Sequence, residues 1–504
     1  MGQKKTAIMI SYANLLFGTI VNIVLTPMLI KYLGDVDYSI YRVMQSFAGP
    51  LIIFNLGISS VVTRSIVKYH AEEGYSEEEK RNTLALSIMI SVIMAMLVTV
   101  IGIIVGKFLV PNIYANTYSQ SQLIVAQQVF TVFVFSTVVH MLTDAFSGCI
   151  VGNEKYAIKA AIPLVKNVLK VILITLLLVH GYGVRFIVSV DLVIAIIAFL
   201  FSCNYSIIGL KEIPKLYYID KKHIFEITSF SLAILLQAFV NQINNNIDLI
   251  ILGAYIDEKS IITMYSSAMI IYAVYNSLVS VVAEFFLPKA TELISMNASG
   301  KELTDFVVAP GRFNAVVAVG VVCAFAALGK NFIELWIGEK YIEAYYIALI
   351  LMIPVTIPLV ENVAISILDA TLKRIYRSTV LFIMAIVNIV ISIVLIREIG
   401  FWGAAIGTVI SLIIGHGICM NIYYAKVFNM QIGYMFRHIF KGILPAGLLA
   451  MIVCIPIIML LNNTYFTFIL ECICFCLIYG AFLWKFGMND SEKISIVSII
   501  KRAR

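Results

Sequence analysis

The sequence predicts an all-α polytopic membrane protein with about 14 transmembrane helices, built as two pseudo-symmetric six-helix lobes around a central cavity plus two C-terminal helices. Three observations predict it. The 504 residues are 61% hydrophobic and only 13% charged, whereas globular domains are about half apolar and about a quarter charged. Apolar stretches of the roughly 20 residues that cross a bilayer recur from end to end. Landmarks in the first half return in the second at a nearly constant offset.

Taken in order, the apolar runs place helices at 8–30, 38–63, 83–105, 122–150, 160–180, 185–208, 227–253, 261–285, 306–328, 345–369, 378–396, 402–424, 442–461 and 466–484. The connections are short. The longest, Val67 to Asn82, carries EEGYSEEEKR and reads as a solvated loop or an amphipathic lip. The organisation expected is an N-terminal lobe at 1–220, a second lobe at 221–430, and an additional helix pair with a tail at 431–504.

Basic residues resist translocation and collect in short cytosolic loops. With the N-terminus inside, 26 lysines and arginines fall on the cytosolic side and 7 outside, while Arg42, Lys166 and Lys170 lie within helices. Both termini are therefore expected in the cytosol. The net charge of +7 then reflects topology, and no nucleic-acid partner is expected. The first apolar run is long enough to span and lacks a small-residue cleavage site, which argues against a cleavable signal peptide. Of the eight cysteines, Cys472, Cys474 and Cys476 are spaced by two on a helix and so present no common tetrahedral face. They read as apolar filler.

The repeat rests on several pairs. Val21-Asn22 returns as Val240-Asn241 and Leu33-Gly34 as Leu252-Gly253; Asn167 returns as Asn388 and Gly181-Tyr182 as Gly400-Phe401. An even number of helices per lobe starts both lobes on the same side, which implies an axis along the membrane normal and a cleft able to open to either face. That is the architecture of a transporter.

Polar groups inside spans need partners or water, because lipid supplies neither. The stretch FVNQINNNIDLIILG puts Gln237, Asn241, Asn244, Asn245 and Asp248 along one helical stripe, and Asn14, Gly18, Asn22 and Thr26 follow the same course in the first helix. The stripe reads either as interhelical hydrogen-bond glue or as the wall of a wet cavity suited to sugar hydroxyls. Lys166 and Lys170 share a face of the fifth helix, deep enough that each charge requires a reason. Mirroring across the hairpin at Lys155 sets Asp144 level with Lys166 and His140 level with Lys170. The first is a candidate structural pair, and Lys170 is left seeking an anion. Arg42 lies near the outer end of the second helix. Glu361 follows Pro354 and Pro358, which kink the tenth helix; with Asp144 and Asp248 it is a candidate ion-coupling acid. Asp191, Glu284 and Asp369 lie near helix ends and carry no assigned role.

There is no G-x-x-x-x-G-K-[ST] loop for ATP, no HExxH or other close metal pair, and no outer loop large enough for a catalytic site. No catalytic residue, metal or cofactor is assigned, and the chain is not expected to be an enzyme. Energy then comes from an ion gradient, H+ or Na+, or from the substrate's own gradient.

The runs NNNIDLIILG with MYSSA (Met264–Ala268), LGDVDYSIY (Leu33–Tyr41) and GFWGAAIGT (Gly400–Thr408), together with the helix count, resemble the oligosaccharide flippases of the multidrug, oligosaccharidyl-lipid and polysaccharide exporter superfamily, in its polysaccharide transporter branch. Ser39 and Met264 stand where that branch often has glycine. The charge-free first helix departs from lipid II flippases and from drug exporters alike. The resemblance implies movement of an undecaprenyl-pyrophosphate-linked oligosaccharide from the inner to the outer leaflet of a bacterial plasma membrane, by alternating access. It implies Arg42, Lys166 and Lys170 for the anion, and Asn22, Gln237, Asn241, Asn244 and Asn245 along the sugar path. The partners expected are the lipid-linked oligosaccharide, membrane lipid, a coupling ion and a polysaccharide polymerase. The alternatives are a cation-coupled drug or metabolite exporter on the same fold, and an intramembrane glycosyl or acyl transferase.

Overall fold

The computed structural model describes residues 2–55, 57–71, 76–219, 242, 244, 246–280, 286–371, 373–490 and 492–494, and among these it is helical with no strand. Two compact units emerge, Met1–Thr263 and Met264–Arg504. The lobe boundary expected at 220 and 221 falls outside the described residues. Twelve helices among those described are long and apolar enough to cross a membrane. One of them, Phe17–Ala71, takes in the first two expected spans, and the seventh, 227–253, lies largely outside the description.

In the first unit, α1 (Gly2–Ala48) is one helical run interrupted at Gly34, where φ is 71°. The second expected helix, 38–63, is not continuous. It breaks into a 3-10 turn at Gly49–Asn55 before α2 (Ile58–Ala71), because Pro50 has no N–H to extend the ladder. α3 (Glu77–Tyr114) opens with a reciprocal cap between Ser76 and Glu79. From Glu77 onward the acidic run is therefore the first turn of a helix, where carboxylates suit the positive end of the dipole. α4 (Gln120–Gly152), α5 (Tyr156–Val179) and α6 (Val184–Gly209) follow.

Packing among these helices is not sequential. α5 lies chiefly along α1, with a smaller contact on α6 and little on α4, while α4 packs on α6, α2 and α3. Lys80, expected only as an orientation marker, is 8% exposed and pairs with Glu212 at 3.0 Å. Asn82 accepts from the backbone N–H groups of Tyr217 and Tyr218, so the chain leaving α6 is tied back to α3. Near the end of the unit, α7 (Asn246–Tyr255) is held by Thr117, whose hydroxyl donates to the Gly253 carbonyl at 2.7 Å.

The second unit contains most of α8 (Lys259–Val279), then α9 (Leu287–Ser295), α10 (Gly300–Ile337), α11 (Glu343–Val360), α12 (Ala364–Ala370), α13 (Arg374–Ile399), α14 (Trp402–Phe428), α15 (Ile432–Phe440), α16 (Ile443–Leu460) and α17 (Tyr465–Phe482). One buried cluster joins α10, α12, α14, α15, α16 and α17 through residues such as Val319, Ile367, Tyr424, Met435, Ala446 and Tyr479. The two additional helices thus share this unit's core. Tyr479 donates to the Val316 carbonyl at 2.8 Å. Arg312, 5% exposed, bridges to the Glu492 carboxylate at 2.7 and 3.1 Å and donates to the carbonyls of His438, Lys441 and Gly487. Partial burial opposes ionisation of Glu492, but hydrogen bonds from Arg312 and the Asn489 N–H, with the guanidinium charge, hold its carboxyl below the usual range.

Part of the repeat is visible in the backbone. Gly181 ends α5 with φ 77° and Gly400 ends α13 with φ 63°, a left-handed conformation that glycine adopts without steric cost. The other glycine pair diverges. Gly34 is left-handed, whereas Gly253 is helical and a Cβ there would press on Tyr114 and Val43 at 3.0 Å.

Candidate functional site

The charged residues read from the sequence converge in the first unit, though not in the pairs expected. Lys170 forms an ion pair with Asp191 of α6, Nζ to Oδ1 2.8 Å, and the two side chains are 24% and 19% exposed. Lys166 lies 3.4 Å from the His140 Nδ1 of α4. Asp144 is hydrogen-bonded by the Asn55 amide from the 3-10 turn. The mirrored pairs Asp144 with Lys166 and His140 with Lys170 therefore interact only electrostatically, without an ion pair or hydrogen bond. Mirroring assumes that consecutive helices lie flush, and α5 leaves α4 to pack on α1 and α6.

Around the ion pair the electrostatic neighbours of Lys170 are Asp191, Tyr41 and Arg42. Those of Lys166 are Asp191, Lys170, Lys159 and Asp144. Arg42, which sits on α1 past the Gly34 break, donates from Nη1 to Gln45 at 2.7 Å, while its buried Nε has no hydrogen-bond partner. The Tyr38 hydroxyl, on a side chain 1% exposed, is likewise without a partner.

Sequence reading missed two members of this cluster. Asp191, near a helix end in the sequence and without an expected role, is the counter-ion of Lys170. Lys159, one of the 26 lysines and arginines that the sequence places on the cytosolic side, interacts with Asp144 and shares the α5 face of Lys166 and Lys170. Its spacing of seven and eleven residues from them was the available signal. Arg42, Lys159, Lys166 and Lys170 stand against Asp144 and Asp191. Among the described residues, two positive charges are in excess. A cavity of 310 Å³ also opens between α5 and α6, lined by Ile158, Ile162, Val165, Ile194 and Phe201 with the Lys166 stem.

The polar stripe of the first helix divides. Asn14 accepts from the Asn167 amide of α5 at 3.2 Å, which is interhelical glue. Thr26 back-bonds to the Asn22 carbonyl, and the Asn22 side chain is exposed. Asn244 is half-buried, and Asp248 is buried at 2% exposure. Gln237, Asn241, Asn245 and Glu284 lie outside the described residues. In the second unit α11 stops at Val360, two residues past Pro358, and Glu361 caps it. Glu361 is 3% exposed; its Oε2 has no hydrogen-bond partner, and its neighbours are Asn421 and Arg377.

A cation-rich cluster inside a helical membrane unit is chemistry for an anion. The sequence profile of the family described as polysaccharide biosynthesis protein matches residues 4–294, more than half of the chain. The chain belongs to the polysaccharide biosynthesis protein family. Among solved structures it is similar to lipid II flippase MurJ in an inward closed conformation, with TM-score 0.73 and 17% identity over 94% of this chain and 97% of that one. An inward-facing multidrug resistance MATE family transporter of the MOP superfamily aligns with TM-score 0.57 and 12% identity, covering 82% and 98%. An outward-facing MATE transporter gives 0.52 and 13%, covering 85% and 96%. The family member therefore has the fold shared by MurJ and MATE transporters and is a multi-pass membrane protein. Curated proteins yield no match.

Proposed function

We propose that this protein is a flippase that moves an undecaprenyl-pyrophosphate-linked oligosaccharide from the inner to the outer leaflet of a bacterial plasma membrane by alternating access, with both termini in the cytosol. The observation that carries the reading is the meeting of Arg42, Lys166 and Lys170 in one cluster with positive charge in excess. Such a site lowers the cost of taking a diphosphate out of water. Outward movement against an inside-negative potential adds about 2.3 kcal/mol per charge per 100 mV. Asn22, Gln237, Asn241, Asn244 and Asn245 are proposed to line the sugar path, with Asp144, Asp248 and Glu361 as candidate coupling acids for H+ or Na+ and a polysaccharide polymerase as partner.

Deletion in the native host tests this. The expected result is loss of surface glycan with a lipid-linked oligosaccharide accumulating on the inner leaflet. Unchanged lipid-linked intermediates would refute it. The second reading, a cation-coupled drug or metabolite exporter, is favoured by the MATE likeness and by the buried Glu361. It expects Glu361→Gln to abolish transport while Lys170→Ala leaves it intact.

A further inference from the structure

We propose that Asp191 is a stand-in for the substrate's diphosphate: it occupies Lys170 while the site is empty and is displaced when the phosphates arrive, so that loading loosens α5 from α6. The inference rests on the flippase reading. Lys170 lies about 21 Å along α5 from Tyr156 at 1.5 Å per residue, deep enough that an unpaired ammonium there is costly. Asp191 removes that cost between transport cycles.

Four observations separate a displaceable anion from a permanent strut. The pair is only partly enclosed by the protein, its side chains being 24% and 19% exposed. The surrounding charge is not balanced by it, because Arg42, Lys159, Lys166 and Lys170 still exceed Asp144 and Asp191 by two. A diphosphate diester carries one negative charge on each phosphorus, which matches the excess. Donors also wait without acceptors, namely the Arg42 Nε and the Tyr38 hydroxyl, and a guanidinium fork suits phosphate oxygens.

The fourth observation comes from the repeat. The corresponding helix crossing in the second unit, α13 with α14, carries Val387, Ile391 and Ile410 at the positions related to Lys166, Lys170 and Asp191 by offsets of 219 to 221 residues. It is held by neutral hydrogen bonds between the Asn388 amide and the Thr408 hydroxyl, at 3.1 and 3.4 Å. This crossing needs no ion pair to form. The groups facing Lys170 and Asp191 are Arg42 and Tyr41 from α1, His140 from α4 and Lys166 from α5. None of these supplies a further acid.

Calorimetry on the purified full-length protein with farnesyl diphosphate as probe, and farnesol as the uncharged control, tests the exchange. Asp191→Asn should bind the diphosphate about tenfold more tightly than wild type, because the internal competitor is gone. Farnesol binding should not change. The double variant Lys170→Gln with Asp191→Asn, which leaves no orphan charge, should lose the gain. Spin labels on Ile172→Cys and Val193→Cys, both at exposed positions, in a background without the native cysteines, should move apart when the diphosphate is added to otherwise wild-type protein and stay fixed in the double variant. Equal or weaker diphosphate binding by folded Asp191→Asn, or an unchanged label distance, overturns the exchange alone. Absence of diphosphate binding by wild type and Asp191→Asn alike overturns the flippase reading with it.

Discussion

The α5–α6 crossing of the first unit and the α13–α14 crossing of the second occupy the same place in the repeat, yet they are built on opposite principles. In the second unit Gly403 and Gly407 bring α14 so close to α13 that a Cβ at Gly403 would meet the backbone of Leu395 and Ile396 at 2.3 to 2.7 Å, and one at Gly407 the Ser392 hydroxyl at 2.2 Å. Small residues four apart permit that approach in a membrane, where apolar side chains gain nothing by leaving lipid. Asn388, 2% exposed, then ties the seam with neutral hydrogen bonds to Thr408. At the related positions the first unit has Val184 and Val188, the contact is much less extensive, a largely apolar 310 Å³ cavity opens beside the Lys166 stem, and the Lys170–Asp191 ion pair spans the crossing. One crossing is a closed joint. The other is a place where something can enter.

The severest way to break this contrast is to give the closed joint the side chain of the open one. Gly403→Val should prevent the second unit from assembling, so that membrane extracts contain little folded protein by size-exclusion fluorescence. Wild-type yield would show that the glycine contact is dispensable.

Lys170→Ala comes next. Surface glycan should fall at least about tenfold, since a cation that offsets removal of the diphosphate from water is gone, while protein level stays near wild type. Normal glycan would remove Lys170 from the mechanism. Ile391→Lys, the same charge set into the closed joint, should instead lower protein level, because insertion of a lysine costs about 2.5 to 3.5 kcal/mol.

Asn388→Ala should cost about 1 to 2 kcal/mol of stability, measured as a lower unfolding temperature in detergent. Glycan export per folded molecule should not change. A transport defect at normal stability would mean that the second joint also moves.

The smallest effect concerns how far the second unit's tight assembly reaches. Glu492 has its carboxyl held low by Arg312, so its contribution is fully present above the ordinary value near 4.5 and is lost as pH falls through the depressed one. Wild type should exceed Glu492→Gln in unfolding temperature at neutral pH, and the gap should close in acid. A gap that persists at low pH would show that packing, not charge, anchors the tail.

Hydropathy alone located most of the spans among the described residues, because each must be apolar over about 20 residues whatever its neighbours are. It also flagged Lys166, Lys170 and Arg42, since a charge inside such a run is conspicuous by itself. The partners were not legible. Asp191 looked peripheral in the sequence, and Lys159 looked like one more cytosolic lysine. Which acid meets which lysine depends on the helix that α5 chooses to lie against, and it lies along α1 and α6.

The sequence by itself determined that this chain lives in a bilayer as repeated helices with cations buried among them, because insertion is judged segment by segment and each segment carries its own transfer energy. Only the tertiary structure decided that four of those cations share one cluster with two acids, and that one copy of the repeat is sealed while the other is open. Neighbour relations between helices are set by side chains tens to hundreds of residues apart, and glycine in one copy against valine in the other changes the spacing without changing the hydropathy that marks either helix.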